Sequence, residues 1–217
     1  MAKRRTEYLD ESSWVDEAFE VLADKSVDDV GIESLARRLG VTKGSFYWHF
    51  KDRAALLSAV LRRWQQRATL SIIERLEHSG LSTEERLRKL VVEPQSTPQS
   101  RKGGFVELAI RAWSRKDPVA AAAVAEVDQQ RLAYLQSLCR TLGSSEDEAQ
   151  ARAYLLYAAQ FAECLITLDE SPAERTKRLA RFTKTIMGSD TIFAKPDNSA
   201  SGRRKQAGRL PLEYTAS

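Results

Sequence analysis

The sequence lacks most of the features that mark secreted, membrane-bound and metal-binding proteins. It has two cysteines, Cys139 and Cys164, without the short Cys-x-x-Cys spacing of zinc or redox sites. No uninterrupted apolar run approaches the roughly 20 residues that cross a bilayer, and polar residues rather than a signal-peptide core follow the start at Met1–Arg5. We therefore expect a cytoplasmic protein with reduced thiols and no membrane partner.

A strong charge of one sign is also missing. The 34 basic and 30 acidic residues leave a formal net charge of +4, which by itself does not indicate nucleic-acid binding. The basic residues are nevertheless grouped, first in an arm at Lys3, Arg4 and Arg5 and then in one short stretch containing Arg37, Arg38, Lys43, Lys51 and Arg53. Because the stretch between the two groups is acidic, we predict a local basic face of the kind that contacts phosphates.

Strict alternation of apolar and polar residues is absent from the sequence, and apolar residues recur instead at spacings of three and four. This pattern predicts an all-α protein. The predicted helices cover Ser13–Asp24, Ile32–Leu39, Thr42–His49, Asp52–Glu77, Thr83–Val91, Gly104–Ser114, Pro118–Leu142, Ser145–Leu168 and Pro172–Met187. Residues 93–104 are rich in proline, glycine and serine and predict a loop. Residues 189–217 have no periodicity and predict a disordered tail.

The most informative segment, residues 31–53, contains two short helices joined by a turn of about three residues around Gly40, as in a helix-turn-helix. On a helical wheel of about 100° per residue, Phe46 and Phe50 point inward. The outer side then carries Gly44, Ser45, Tyr47 and Trp48. Exposed aromatic residues suit contacts with phosphate, sugar or base edges, so the segment predicts a DNA-reading surface. The alternative is a helical hairpin within an all-α core, with both outer aromatic residues buried.

The residues that flank this segment suit contacts with the DNA backbone. Lys51 and Arg53 lie at the start of the next helix, where they are expected to anchor phosphates and to contribute affinity without sequence information. The arm at Lys3, Arg4 and Arg5 either reaches a minor groove or adds to counterion release.

Three stretches carry a family resemblance: Leu35-Ala36, Leu39-Gly40-Val41 and the run Ser45-Phe-Tyr-Trp-His-Phe-Lys51. Together they resemble the DNA-binding domain of the TetR family of bacterial repressors, over about residues 9–57. The resemblance implies groove and backbone contacts at Thr42, Lys43, Ser45, Tyr47, Trp48 and His49. The chain departs from the family pattern at Gly31, where a Ser or Thr cap is usual, and at Arg53, where lysine is usual. Glycine is a tolerable N-cap and arginine still binds phosphate.

The resemblance also implies that separate domains of the chain have different functions. Residues 1–57 would form a three-helix helix-turn-helix DNA-binding domain, 58–188 a helical ligand-binding and dimerisation domain, and 189–217 the tail. The helix Ser145–Leu168 is apolar nearly all round its middle, which predicts burial on two sides. With Pro172–Met187, where Leu179, Phe182 and Ile186 recur, it is expected to form a homodimer interface of four helices.

A small, largely apolar effector is expected between the long fourth helix and the middle helices. Candidate wall residues are Trp64, Phe105, Leu108, Trp113, Tyr134, Tyr157 and Phe161, with Glu107, Gln160 or Glu163 as polar anchors. The alternative is that these aromatic residues are ordinary core. The sequence suggests no catalytic constellation, metal site or cofactor.

These observations favour a ligand-responsive homodimeric repressor that binds a pseudo-palindromic operator of double-stranded DNA. Two alternatives remain. One is an activator or nucleoid-associated factor with the same DNA-binding module. The other is a helical lipid carrier or enzyme that keeps the first module only for packing.

Overall fold

The computed structural model describes residues 9–92 and 98–188, except for the side chains of residues 98–101. No strand occurs within these ranges. The helices are α1 (Glu11–Asp24), α2 (Ile32–Leu39), α3 (Lys43–Phe46), α4 (Arg53–Gln65), α5 (Ser71–Glu77), α6 (Thr83–Val91), α7 (Pro98–Ser114), α8 (Pro118–Thr141), α9 (Glu146–Leu165) and α10 (Pro172–Gly188). The predicted all-α architecture is thus confirmed. The arm and the tail lie outside the described residues.

Side chains at the helix starts explain several of these boundaries. Asp10 caps α1 by accepting a hydrogen bond from the Ser13 amide at 2.9 Å, so the helix begins two residues before the predicted Ser13. Ser82 and Ser145 cap α6 and α9 in reciprocal capping boxes with Glu85 and Glu148. These bonds pair helix-end amides that would otherwise lack partners.

The expected loop over residues 93–104 is wrong in its second half, because α7 already begins at Pro98. Proline is tolerated in the first turn of a helix, where its missing amide hydrogen would have no partner. Gly104 lies where α7 closely approaches α9, since a Cβ at this position would be 2.4 Å from the Cys164 Sγ. A glycine that reads as a helix breaker in the sequence therefore permits close helix packing.

The long predicted fourth helix is interrupted by a π-helical segment, Gln66–Leu70, between α4 and α5. Arg131 of α8 lies against this segment, donating from Nε to the Thr69 hydroxyl at 3.1 Å and from Nη2 to the Ala68 carbonyl at 3.2 Å. The π-helical segment is thus hydrogen-bonded by a side chain of another helix.

Two hydrophobic clusters form the core. The first joins α1–α4 to α7 and α8, with Trp14, Phe46, Leu56 and Ile110 fully buried. The second joins α6, α8 and α9, and part of α10 packs on it. The first cluster runs across the predicted boundary at residue 57, so α1 and α4 are packed against the helices that follow.

The apolar residues of α10 that the sequence predicts at a dimer interface pack on their own chain, with Phe182 and Ile186 half-buried. Leu179 is only 2% exposed, and Phe182 and Ile186 pack on the second core cluster. Five of the large apolar residues that the structure leaves exposed lie on α9 or just after it: Tyr154, Leu155, Leu165, Ile166 and Leu168. Within the described ranges, no helix combines the length and apolar character needed to cross a membrane.

Candidate nucleic-acid interface and effector pocket

Backbone geometry at Gly40 sets the turn between α2 and α3. Gly40 adopts the left-handed conformation with φ of 71°, which side-chain-bearing residues rarely adopt, and it ends α2. The next amide, that of Val41, donates to the Ala36 carbonyl at 2.9 Å. The chain therefore turns sharply after α2 and leads directly into α3.

The second helix of the motif is shorter than the predicted Thr42–His49. Only Lys43–Phe46 is α-helical, and tighter turns follow through His49, whose amide bonds to the Phe46 carbonyl at 2.9 Å. Phe46 and Phe50 are buried as predicted, with ring centroids 5.4 Å apart, and the Trp14 ring meets Phe46 edge-on at 5.3 Å. These three rings fix the motif on α1.

The outer side of the motif is open, as the helical wheel predicted. Trp48 is 87% exposed and Tyr47 53%, so the alternative with both aromatic residues buried is wrong. Thr42, Lys43 and Gly44 are exposed beside them, and a Cβ added at Gly44 would meet only the Thr42 Oγ1, at 3.6 Å. Ser45 and His49 are half-buried at the edge of this surface. We call the exposed set Thr42, Lys43, Gly44, Tyr47 and Trp48 the reading face.

The basic residues around the reading face differ in how they are held. Lys43 donates to Glu33 at 2.8 Å, and this hydrogen bond together with the attraction of the carboxylate raises the pKa of the lysine. Lys51 and Arg37 are exposed. Arg38 pairs with Glu17 of α1. At least two of these cations, Lys43 and Arg38, are thus held by carboxylates of the same chain.

Arg53, expected to anchor a phosphate, lies mainly in a structural position. Its Nε donates to the Val30 carbonyl at 2.7 Å and its Nη2 to the Val27 carbonyl at 2.5 Å. These bonds tie the start of α4 to the turn before α2, and they leave fewer guanidinium donors for DNA. This role could not be predicted from the sequence, because the partners are backbone atoms more than 20 positions away.

A cavity of about 710 Å³ lies among α4, α5, α7, α8 and α9, where the effector was expected. Of the predicted residues, those that line it are Trp64, Glu107, Tyr134, Gln160 and Phe161. Four of the predicted wall residues lie elsewhere. Phe105 is 47% exposed, Leu108 is half-buried outside the cavity, and Trp113 belongs to the first core cluster. Tyr157 is buried beside the cavity without lining it.

Buried charges form one wall of this cavity. Glu107 accepts hydrogen bonds from Trp64 Nε1 at 3.2 Å, from Arg131 at 3.0 Å and from Arg111 at 2.8 Å. Arg111 also bonds Asp128, as does the Tyr157 hydroxyl at 2.6 Å. We call these five ionisable residues, Glu107, Arg111, Asp128, Arg131 and Tyr157, the buried charge network.

Burial and hydrogen bonding shift the pKa values of this network. Burial raises the pKa of Tyr157, and the hydroxyl remains a donor. Burial also opposes ionisation of Asp128, but hydrogen bonds from Arg111 and Tyr157 outweigh it and hold the pKa of Asp128 below its ordinary value. The network therefore contains two carboxylate positions facing two guanidinium groups.

Glu163, a third candidate anchor, is outside the cavity. It accepts hydrogen bonds from Arg178 of α10 at 2.7 Å and lies 3.3 Å from the Arg175 Nε. Its role is to connect α9 with α10. The arginines that complete both ion-pair systems were missed in the sequence, because no local spacing identifies their partners on other helices.

The chain matches the family model described as bacterial regulatory proteins, tetR family, over residues 15–60. Residues 15–60 are therefore similar to the regulators of this family. The chain is 43% identical over 47 residues to the transcriptional regulator SrpR from Pseudomonas putida, covering 22% of each protein. It is 36% identical over 52 residues to the class D tetracycline repressor from Escherichia coli, covering 24% of each. The match thus spans about a quarter or less of these relatives.

Solved structures resemble the chain over most of its length. A transcriptional regulator from Saccharomonospora viridis, solved in complex with choline, superposes with a TM-score of 0.67 at 19% identity, covering 80% of this chain and 95% of that one. A regulator from Rhodococcus sp. Rha1 gives 0.66 at 19% identity, covering 83% and 95%. The fold predicted from the sequence, a helix-turn-helix domain followed by a helical domain, is therefore confirmed.

Proposed function

We propose that the chain is a TetR-family regulator, a cytoplasmic homodimeric repressor that binds a pseudo-palindromic operator and releases it when a small effector occupies the cavity. The observation that carries DNA binding is the exposure of Tyr47 and Trp48 beside Lys51, on a segment held from behind by Phe46 and Phe50. Large aromatic side chains exposed on a rigid surface suit a partner that covers them. A basic neighbourhood suits the phosphate backbone.

The reading face divides into two kinds of contact. Tyr47, Trp48 and Ser45 would contact base edges, sugars or phosphates in the groove, and the missing side chain at Gly44 would allow close approach. Lys51 and Lys43 would bind phosphates, which supply affinity and salt dependence. His49, half-buried at the edge, would contact the backbone, and the arm at Lys3, Arg4 and Arg5 would add minor-groove or counterion contributions.

The DNA-binding proposal is tested by combining Tyr47→Ala with Lys51→Ala. On DNA selected by the wild-type protein, fluorescence anisotropy is expected to show affinity reduced about tenfold or more, and loss of the lysine should reduce the salt slope by about one. Lys116→Ala, at an exposed residue just after α7, is the matched control and should bind normally. Unchanged binding by the double variant, with intact folding, would favour the lipid-carrier or enzyme alternative.

Dimerisation is supported by an apolar stripe on α9. Tyr154 and Leu165 are 66% and 67% exposed, and Leu155 and Ala158 lie between them on the exposed side of the helix. Ile166 and Leu168 extend the exposed apolar surface beyond the helix end, at 57% and 45%. A second copy of the chain is the proposed partner, with α10 contributing its exposed side rather than the predicted residues Leu179, Phe182 and Ile186.

Light scattering tests the dimer. The wild-type chain is expected at twice its monomer mass of 24.4 kDa, and Tyr154→Asp combined with Leu165→Asp is expected to give monomers that keep their helical circular dichroism. Glu84→Gln, at an exposed residue of α6, is the control. A monomeric wild-type chain would refute the dimer and, with it, the two-fold operator.

The cavity supports ligand response. Its volume is within the range of about 300–1,000 Å³ typical of small-molecule sites. The Saccharomonospora viridis regulator of the same fold was solved with choline, which supports a small organic ligand here as well. Such a ligand weakens operator binding only by its differential affinity for two conformations. If operator binding is unaffected by every compound that raises the melting temperature, the response does not exist.

Repression rather than activation rests on the family resemblance. Deleting the gene is expected to raise reporter expression from the selected operator. A fall in expression would identify the protein as an activator with the same DNA-binding module.

A further inference from the structure

We propose that the effector is an amphipathic organic anion, with an apolar body in the cavity and an acidic group bound at its rim in competition with carboxylates of α1. This inference rests on the proposed ligand response. The rim consists of four basic residues that line the cavity, which we call the basic rim: Arg67, Arg75, Lys89 and Lys102.

The charges of the cavity lining favour an anion. Its described residues include five basic side chains, the four of the basic rim and Arg131, but only two acidic ones, Glu20 and Glu107. The remaining wall is largely apolar, and Ile72, Leu76, Leu90, Val106, Leu135 and Phe161 are among its members. An elongated apolar ligand with one negative group would match both features.

The deep wall of the cavity cannot take the acidic group without breaking existing bonds. Arg131 donates to Thr69, to the Ala68 carbonyl, to both oxygens of Glu107 and to the Tyr157 hydroxyl. These five bonds use all five N–H donors of a guanidinium. The acidic group is therefore expected at the rim, and the apolar body in the interior.

The aromatic residues disfavour a cationic ligand. The guanidinium of Arg111 lies 4.4 Å from the centroid of the Phe161 ring, and that of Arg131 lies 5.9 Å from the Trp64 ring. Aromatic faces that attract cations already have cations of the protein beside them. A quaternary ammonium would have to compete with these guanidinium groups and approach a basic rim.

The basic rim is connected to the DNA-binding domain. Lys102 pairs with Glu20, and Arg67 donates to Asp16 at 2.9 Å. Both acids lie on α1, four positions apart and on the same side of the helix, and α1 carries Trp14, which packs against Phe46 behind the reading face. The same cations that would bind the effector thus hold α1.

Competition for these cations links the effector cavity to the DNA-binding helices. An anion that binds Lys102 or Arg67 weakens its ion pair with α1, and by linkage the α1 carboxylates weaken binding of the anion. Each of these half-exposed pairs contributes little to stability, about two- to fivefold in an equilibrium constant, so a ligand can displace them.

The test uses chain-matched probes on the full-length protein. Isothermal titration calorimetry is performed with straight-chain carboxylates from octanoate to hexadecanoate, and with the alcohol and the trimethylammonium derivative of each length. The expected result is binding of at least one carboxylate, about tenfold or more tighter than both matched probes. Equal or tighter binding of an alcohol or a trimethylammonium probe, or no binding by any carboxylate, overturns the proposal.

Variants locate the acidic group and test the competition. Lys102→Gln is expected to weaken carboxylate binding about two- to fivefold, and Glu20→Gln to strengthen it by a similar factor, with alcohols unaffected by either. Arg88→Gln, at an exposed position of α6 outside the cavity lining, is the matched control. Weaker carboxylate binding in Glu20→Gln contradicts the competition. The proposed function is tested separately, by operator binding of the wild-type chain. It fails if no ligand that binds the cavity changes that operator binding.

Discussion

Replacing Glu107 with glutamine removes the carboxylate that balances the buried charge network. Arg111 would keep Asp128 as a charged partner, bonded at 3.0 Å, but Arg131 would hydrogen-bond only to neutral oxygens, those of Thr69, Ala68, Tyr157 and the new glutamine. The cost is therefore one uncompensated buried guanidinium. Breaking a buried ion pair costs about 3–5 kcal/mol, and because the glutamine oxygen still accepts a hydrogen bond we expect about 2–4 kcal/mol.

Thermal and urea unfolding followed by circular dichroism measure this loss. For a chain of this size about 1 kcal/mol lowers the melting temperature by roughly 2–4 °C, so Glu107→Gln should lower it by about 5–15 °C. Glu74→Gln, at an exposed residue of α5, is the control and should remain within about 0.5 kcal/mol of the wild type.

A double-mutant cycle with Arg131→Met separates charge balance from the loss of a single hydrogen bond. Removing both charges should be less destabilising than the sum of the single changes, with a coupling of about 1 kcal/mol or more. If Glu107→Gln has wild-type stability, or if the two changes are additive, the network does not stabilise the fold, and Glu107 is available as the polar anchor expected from the sequence.

Three further perturbations test local features. Asp10→Ala should lower the melting temperature at neutral pH. Hydrogen bonds from Ser12 and Ser13 lower the pKa of Asp10 from 3.8 to about 2 in the folded chain. The ionised Asp10 side chain therefore stabilises the folded chain fully above pH 3.8. The difference in melting temperature between the variant and the wild type should vanish as the pH falls toward about 2. Gly104→Ala should destabilise the chain by about 1–2 kcal/mol, because the added Cβ would collide with the Cys164 Sγ. Adding Cys164→Ala to the same chain should restore part of the lost stability. Equal urea midpoints for Gly104→Ala with and without Cys164→Ala would contradict the contact. Arg53→Lys should lower the free energy of unfolding in urea by about 1–3 kcal/mol, because lysine cannot form both hydrogen bonds to the backbone carbonyls. If the variant instead loses only DNA affinity, Arg53 anchors a phosphate as the sequence predicts.

Features with a local physical signature could be predicted from the sequence. The ends of α2 follow from Gly31 and Gly40, and the outward direction of Tyr47 and Trp48 follows from burial of Phe46 and Phe50. The helical fold follows in the same way from apolar spacing. In each case the signal and the structural feature lie within one or two helical turns.

Features that depend on distant partners could not be predicted. Arg131 bonds Glu107 across 24 positions and Thr69 across 62, and nothing in the local sequence of either helix marks these pairs. The same reason explains why the inward apolar face of α10 was assigned to a dimer interface. Its periodicity shows that one face is buried, but not whether the same chain or a second chain covers it.

The most direct test of DNA reading is selection of bound sequences from random double-stranded DNA, performed in parallel with the wild-type chain and the Tyr47→Ala, Lys51→Ala variant. The wild-type chain should enrich two inverted half-sites whose centres are about 10 base pairs, or a multiple of that distance, apart. The variant should enrich none. Enrichment of no sequence by the wild-type chain, or of the same sequence by the variant, would show that residues 31–53 do not read DNA.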